Sequence, residues 1–354
     1  MDKFTKIYEM MNNNQLDAFF LCNYEDRRYF TKFTGSNGYV FLTHQEKYLI
    51  TDQRYTEQAT NQADNFHVVT HLINPFETIS KTLEKIKPSK IGYDSKQVTD
   101  YMLSKLKKSY DKVEWIPIVD VVLEIRSIKD EKELVDIKKA VELADDVMIE
   151  ISKLIKPGVT EREIANQIEY LLRSVGSEGP SFGTIVAAGE RASLPHAIVT
   201  DRVVKDGEYV LIDFGARYNG YMSDITRTIA VGKPNDYIQQ IYKLVEEAIE
   251  TTMNQIKPGL TCHEVDKLAR DVFVKANVEQ YSLRGLGHGV GLQIHEHPRI
   301  VLDNSQIIEE GMVFTVEPGL YIPNVGGVRL EDIVVVTSNG CEILTKTPRN
   351  LTVH

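Results

Sequence analysis

Cysteine is scarce in this chain: three in 354 residues, at positions 22, 262 and 341. The count is odd, the three lie far apart and no Cys-x-x-Cys pair occurs. That argues against a disulfide framework or a thiolate zinc site and points to a reducing compartment. Long apolar runs are missing as well. No segment approaches the roughly 20 apolar residues of a membrane-spanning helix. The opening MDKFTKIYEMMNNNQ interleaves charged and amide side chains where a secretory leader has its apolar stretch. Both absences predict a cytoplasmic chain with no membrane partner. Positive charge is in deficit, 41 Lys and Arg against 51 Asp and Glu, for a net of −10. Phosphate backbones therefore repel the chain overall, and no nucleic-acid partner is expected. What is present is ordinary for a globular protein: 42% apolar and 26% charged residues, over a length that suits two domains.

The first stretch reads as an α/β unit. AFFL (18–21), YVFLT (39–43), YLIT (48–51) and KIGYD (90–94) are short runs of strand type, HQEK supplies a hairpin turn between the second and third, and helical patterns fill 53–63 and 99–109. IPIVDVVLEIR (116–126) then leads into a long amphipathic helix. Its apolar positions, Leu134, Ile137, Val141, Ala144, Val147, Ile151 and Leu154, recur in steps of three and four and define one buried face. A boundary between 123 and 128 divides the chain into domains 1–123 and 124–354.

The second domain contains a diverged repeat. IKPGVTEREI (155–164) returns as IKPGLTCHEV (256–265), 101 residues on. Each copy follows an amphipathic helix that its glycine stops. Each opens the next helix with a capping box, Thr160 with Glu163 and Thr261 with Glu264. The duplication continues into strands: VVKDGEYVLIDFG (203–215) aligns with IIEEGMVFTVEPG (307–319), and GYMSD (220–224) with GVRLE (327–331). Asp213 and Asp224 of the first copy thereby fall on Glu317 and Glu331 of the second.

These acids keep apolar company. Asp213 closes the run Val210-Leu211-Ile212, Tyr218-Asn219-Gly220 turns the chain, and Asp224 stands beside Ile225 on the returning strand. An ionised carboxylate in such surroundings is costly unless a cationic side chain or a metal pairs with it. One acid of this kind is usually a surface or ion-pair residue. Four at matched positions converge if the two halves face each other about a pseudo-twofold axis, and converging carboxylates repel unless cations lie between them. A pair of divalent metal ions answers that demand. GLGHGVGLQIHEHP (285–298) lies between the acid pairs, with glycines at 285, 287, 289 and 291 alternating through a strand-like stretch, a sign of close backbone or ligand approach. That setting singles out His288 as a fifth ligand, whereas His44, His67, His71, His263, His297 and His354 read as surface or hydrogen-bonded residues.

With these residues in place the sequence resembles the pita-bread metallopeptidases, the group of methionine aminopeptidase, aminopeptidase P, prolidase and the metal-free creatinases. The motifs that carry the resemblance are LPHAIVTDR, LIDFGARYNGYMSDITRT, GHGVGLQIHE, TVEPGLY and GGVRLEDIVVV, in the family's order within 127–354. Residues 1–123, with TDQRY at 51–55, resemble the N-terminal domain of prolidase, aminopeptidase P and creatinase, which methionine aminopeptidases lack. The implied fold is an α/β N-terminal domain of creatinase/prolidase type followed by an α+β pita-bread catalytic domain with an internal pseudo-twofold repeat.

The resemblance also implies roles. Asp224 and Glu331 bridge two divalent ions, Asp213 completes one, and His288 with Glu317 completes the other. Four carboxylates and an imidazole suit manganese, with cobalt or zinc as alternatives. A hydroxide shared by the ions attacks the bond before proline, and Glu317 carries its proton to the leaving nitrogen. His196 and His295 contact the substrate and stabilise the tetrahedral intermediate. Arg329 binds a substrate carboxylate or supports Asp213. Phe182, in GPSFGTIVA, lines a proline pocket or packs in the core. The implied activity is that of a Xaa-Pro dipeptidase acting on proline-containing peptides as a homodimer. The alternatives are an aminopeptidase P acting on longer peptides, a creatinase-type hydrolase, which the intact ligand set opposes, and a non-catalytic peptide-binding relative. One departure bears on substrate choice: Arg284 stands four residues before His288, where many Xaa-Pro peptidases have a histidine.

Overall fold

The computed structural model describes residues 2–350 and the backbone of 352–353, so His354 lies outside the described residues. The chain divides into two compact units, Met1–Ile125 and Arg126–His354. In the first, α1 (Lys3–Asn13), β1 (Ala18–Leu21), α2 (Tyr24–Thr31), β2 (Tyr39–Thr43), β3 (Lys47–Asp52), α3 (Thr56–Gln62), β4 (His67–His71), α4 (Pro75–Ile86), β5 (Lys90–Asp94), α5 (Asp100–Ser109) and β6 (Glu114–Ile118) follow in order. The strands form one six-stranded sheet in the order β4-β3-β2-β1-β5-β6. Only β2 runs antiparallel to its neighbours, because the tight turn at HQEK returns the chain directly while the other links are long enough to cross over. Local signals start the helices: the Asn74 side chain accepts from the Phe76 N–H, with Pro75 in the first turn of α4, and Thr99 caps α5. Ile79 and Leu83 of α4 and Leu106 of α5 then pack on Phe20, Phe41, Ile50, Ile91 and Trp115 of the sheet. Each such fully buried side chain contributes about 1.5–3 kcal/mol. The two outer strands, β4 and β6, carry polar or proline residues, which hides them from a periodicity reading.

The approach to the second unit is broken where the sequence suggests one continuous lead-in. A short helix, α6 (Val121–Ser127), ends before Asp130, whose side chain caps α7 (Glu131–Ser152) in a capping box with Glu133. On α7 the expected face holds for Ile137, Val141, Ala144, Val147 and Ile151, which are buried, and Leu134 is partly so. Leu154 is 47% exposed, because the helix stops at Ser152 and the periodicity stops with it.

The duplication is visible in the backbone. The first copy runs α7, α8 (Glu161–Ser174), β7 (Ile185–Ala188), β8 (Glu208–Phe214), β9 (Arg217–Tyr218), β10 (Tyr221–Met222) and β11 (Ile225–Val231). The second runs α9 (Asp236–Met253), α10 (Cys262–Lys275), β12 (Gly287–Gly289), β13 (Glu296–Ile300), β14 (Val313–Val316), β15 (Gly319–Ile322), β16 (Gly326–Arg329), β17 (Asp332–Val336) and β18 (Cys341–Ile343), and β19 (Thr352–Val353) returns to pair with β11. Equivalent bonds tie each helix pair to its sheet. The Gly158 N–H donates to Val204 O at 3.0 Å and the Gly259 N–H to Ile308 O at 2.9 Å. The Glu161 N–H donates to Arg202 O at 3.0 Å and the Cys262 N–H to Gln306 O at 2.9 Å. Both predicted capping boxes form. Each copy places a long antiparallel pair, β8 with β11 or β14 with β17, beside a two-stranded ribbon, β9 with β10 or β15 with β16. Each helix pair buries its apolar face on its own sheet: Val147, Ile164 and Ile168 on Val210, Ile212 and Ile225, and Val245, Ile249 and Val265 on Phe314, Val316 and Val334. This is the pita-bread arrangement, in which the ends of the paired strands from both copies come together. Among the described residues no helix is long and apolar enough to cross a membrane, and all three cysteines are free.

Candidate metal centre

The strand ends deliver the acids. Asp213 is the penultimate residue of β8, opposite Thr226 on β11. Asp224 precedes β11 by one residue, so it sits in the link after the small ribbon and not within the returning strand. Glu317 follows β14 and Glu331 lies between β16 and β17. The matched acids thus occupy matched places, two at the ends of outgoing strands and two at the entrances of returning ones. Atoms offered by Asp224, His288 and Glu331 all lie within 4.8 Å of one another. His288 Nε2 is 3.6 Å from Asp224 Oδ2 and 3.3 Å from Glu317 Oε1. Asp213 is held beside them by the Arg329 guanidinium, which donates to its Oδ2.

The chain around His288 shows why its glycines are needed. A Cβ on Gly287 would lie 2.0 Å from Thr315 O, and one on Gly289 would lie 2.2 Å from His297 O. The regular strand lasts only from Gly287 to Gly289, because its register against β13 shifts between His288 and Gly289. His288 Nδ1 is 3.2 Å from Gly289 O, and a carbonyl can only accept, so the proton sits on Nδ1 and the Nε2 lone pair faces the carboxylates. Gly287→Ala is expected to be either insoluble or inactive with lost metal affinity. Expression yield and metal content of the purified variant check this, and a well-folded variant with unchanged metal content would contradict it.

Charge in the cluster is poorly balanced by the protein itself. Asp213, Asp224 and Glu331 are buried, and each has one carboxylate oxygen, Oδ1, Oδ1 and Oε1 respectively, with no hydrogen-bond partner. Burial, then the neighbouring Glu331 and Asp213, hold the Asp224 carboxyl well above the usual range. Burial, then Glu317 and Asp213, do the same to Glu331. Burial pushes Glu317 up to about 7 despite the opposing Arg329. Burial also lowers His288 and keeps it neutral. Orphaned carboxylate oxygens, acids forced toward protonation and an unprotonated imidazole form a donor set suited to a hard divalent cation, which would reverse the repulsion.

Two threonines lock the ligands in place. Thr226 Oγ1 accepts from Arg329 Nε at 3.0 Å and donates to Glu331 Oε2 at 2.6 Å. Thr315 Oγ1 accepts from the His288 N–H at 3.1 Å and donates to Glu317 Oε1 at 3.0 Å. Arg329 is buried, and its remaining contacts are to Pro195 O at 3.2 Å and Tyr321 OH at 2.7 Å. Its guanidinium is therefore occupied by the scaffold.

The other expected site residues line the open side. His295 is exposed, its ring T-shaped against His288 at a centroid distance of 4.2 Å. Partial burial and the adjacent His288 lower its pKa. His196 is exposed on the loop whose Pro195 carbonyl Arg329 holds. Phe182 is partly buried against the cluster of Ile185, Ala192, Ala197 and Tyr321, beneath that same loop. Arg284 is exposed and makes no side-chain hydrogen bond or ion pair among the described residues.

Two residues that shape the site lie inside the family motifs without being among the expected site residues. Glu296, next to His295, is buried between Arg126 and Lys129, with Lys129 Nζ 2.8 Å from Oε1. Burial would raise its pKa, but Lys129 and Arg126 override that and hold it below the usual range. Arg227, fully buried in β11, donates to Glu331 O at 2.6 Å and Asp332 Oδ1 at 2.6 Å. An arginine in the middle of the run ITRTIAV is the one sequence sign of such a network.

Comparison with known proteins gives the family. The family described as metallopeptidase family M24 matches residues 135–338, and the creatinase/prolidase N-terminal domain matches residues 3–128. A Xaa-Pro dipeptidase of Pyrococcus horikoshii is 38% identical over 351 residues, covering 99% of this chain and 98% of that one. The structure of a Xaa-Pro dipeptidase from Bacillus anthracis is similar with a TM-score of 0.97 and 39% identity over 99% of each chain. That of an X-Pro aminopeptidase from Thermotoga maritima has a TM-score of 0.91 and 37% identity, over 96% of this chain and 98% of that one. The chain belongs to metallopeptidase family M24, and it is a peptidase built from a creatinase/prolidase N-terminal domain and a pita-bread catalytic domain.

Proposed function

We propose that this peptidase is a Xaa-Pro dipeptidase that works with two divalent ions, manganese by preference, held by Asp213, Asp224, His288, Glu317 and Glu331. The observation that carries the reading is the grouping of Asp224, His288 and Glu331, with Glu317 against the same imidazole and Asp213 acting on both acids, and three buried carboxylate oxygens left unpartnered. In this reading Asp224 and Glu331 would hold both ions, with Asp213 adding a ligand for one and His288 with Glu317 for the other. Bound divalent ions supply an acidified water and an electrophile for the scissile carbonyl. Glu317, the most accessible of the four acids and oriented by Thr315 Oγ1, would accept a proton and pass it to the leaving nitrogen. His295 and His196, on the open side, bind the substrate and donate to the developing oxyanion. Arg329 keeps Asp213 in place. Phe182 offers an apolar ring to the proline. The reading includes a cytoplasmic homodimer, in keeping with the free cysteines.

A second reading, an aminopeptidase acting on longer peptides, is favoured by the likeness to the Thermotoga enzyme and by the exposed Arg284 in the histidine's place. A panel of Xaa-Pro and Xaa-Pro-Xaa substrates, with manganese, cobalt and zinc supplied in turn, separates the two. The dipeptidase reading expects Xaa-Pro dipeptides to be cleaved on the order of tenfold or more faster in kcat/KM. The reverse order would establish the aminopeptidase.

A further inference from the structure

The loop that carries His196 is fixed by one buried carboxylate. Glu161 is the first residue of α8, where an acid ordinarily serves the helix dipole from the surface. Here it is 0% exposed. Its Oε1 accepts from the Ala188 N–H at 3.0 Å and from Arg191 Nε at 3.0 Å. Its Oε2 accepts from the Thr200 N–H at 3.1 Å and from Thr200 Oγ1 at 2.6 Å. Ala188 ends β7 and Thr200 closes the excursion, so both ends of the 189–199 loop are tied to a single side chain. Arg191 then reaches across the loop, its Nη2 donating to Ile198 O at 2.6 Å.

The loop has other ties as well: Arg202 Nη2 lies 2.8 Å from Glu190 Oε2, Arg329 Nη1 donates to Pro195 O at 3.2 Å, and Ala192, in the 3-10 turn Gly189–Ser193, joins Ala197 in the apolar cluster. None of these joins Ala188 to Thr200. Leu194 is 48% exposed and Ile198 84% exposed, on either side of the exposed His196. His196 makes no side-chain hydrogen bond of its own among the described residues.

The duplication shows what the carboxylate is for. Its equivalent in the second copy is Cys262, likewise fully buried and likewise first in its helix, with the matching backbone bond in place. The second copy therefore folds the same helix start and the same bridge to the sheet without any acid. The architecture does not require Glu161, and what distinguishes the first copy at this point is the His196 loop.

We propose that Glu161 is a positioning residue that acts through His196, setting the 189–199 loop so that the imidazole faces the metal-ligand cluster. The proposal rests on the reading that His196 contacts substrate. The test uses the full-length, manganese-loaded enzyme with Glu161→Gln, Thr200→Val, His196→Ala and the two combinations with His196→Ala. Two readouts are taken, kcat and KM on a Xaa-Pro dipeptide and backbone hydrogen exchange across 186–231. Leaving buried donors unpaired is expected to lower kcat/KM of Glu161→Gln by roughly ten- to a hundredfold. In the His196→Ala background the same change is expected to cost less than about twofold, because the two act as a unit. Exchange at the Ala188 and Thr200 amides should quicken by about tenfold or more while strands β8 and β11 keep their protection. Thr200→Val, which leaves the buried charge paired with Arg191, should show the same coupling at smaller amplitude and decides the matter if Glu161→Gln does not fold. Additive losses in both double variants, or unchanged exchange at Ala188 and Thr200, would overturn the proposal. If the parent enzyme cleaves no prolyl peptide, the proposed function fails while the exchange measurement still decides whether Glu161 sets the loop.

Discussion

Glu317→Gln is expected to bind manganese and yet cleave Xaa-Pro substrates about a thousandfold more slowly, within the range for a lost general acid–base group. The side chain keeps its volume and an oxygen ligand but can no longer take up a proton. In the proposed mechanism that role falls on Glu317 by position: of the four acids it is the most accessible, and Thr315 Oγ1 orients its Oε1 from 3.0 Å. Steady-state kinetics at saturating manganese, with metal content measured on the same preparation, check the expectation. A kcat within about tenfold of the parent would remove Glu317 from the proton-transfer role.

The second large effect is on stability without metal. Asp224, Glu317 and Glu331 all have raised folded pKa values. Acids of this kind bind protons more tightly in the folded state. Their contribution is complete below the unfolded carboxyl range near pH 4 and is lost as pH rises through the folded values. His288 and His295, whose values are lowered, add stability as pH rises toward the ordinary histidine value near 6.5, so the acids' loss stands alone above it. The chelated protein should therefore lose on the order of a few kcal/mol between about pH 7 and pH 9, seen as a fall of several degrees in Tm. Saturating manganese should restore the loss at the alkaline end, where the ligands are ionised and ready. Asp224→Asn removes one of the repelling charges, so its chelated form should melt higher than the chelated parent at about pH 8 and gain little from manganese. Thermal melts across pH, with chelator or with metal, provide the comparison. A chelated parent whose Tm is flat or rises over that range would contradict the cluster's electrostatics.

Much of the fold could be read from local pattern. The stepped apolar positions of α7, the paired capping boxes and the recurrence of IKPG depend on neighbours in the chain, and they appear in the structure as expected. The failures are also local. Leu154 lies past the point where the helix stops, β4 is polar at both ends and β6 is interrupted by Pro117, and Asp224 stands one residue outside its strand because the small ribbon ends there. The acids and His288 could be singled out because the duplication matched them and glycine crowded around the histidine. Glu161 and Glu296 could not, and Arg227 only by its place in the apolar run ITRTIAV. Their partners are 27–39, 167–170 and 104–121 residues away, and nothing beside Glu161 or Glu296 marks a buried charge that has found its counterparts. Their burial is a property of tertiary packing alone.

The central claim is that carboxylates from two halves of a duplicated domain enclose divalent cations. Anomalous scattering from crystals grown with manganese measures this directly. Two peaks are predicted, both inside the set Asp213, Asp224, His288, Glu317 and Glu331. Peaks outside that set, or none within it at saturating manganese, would contradict the account.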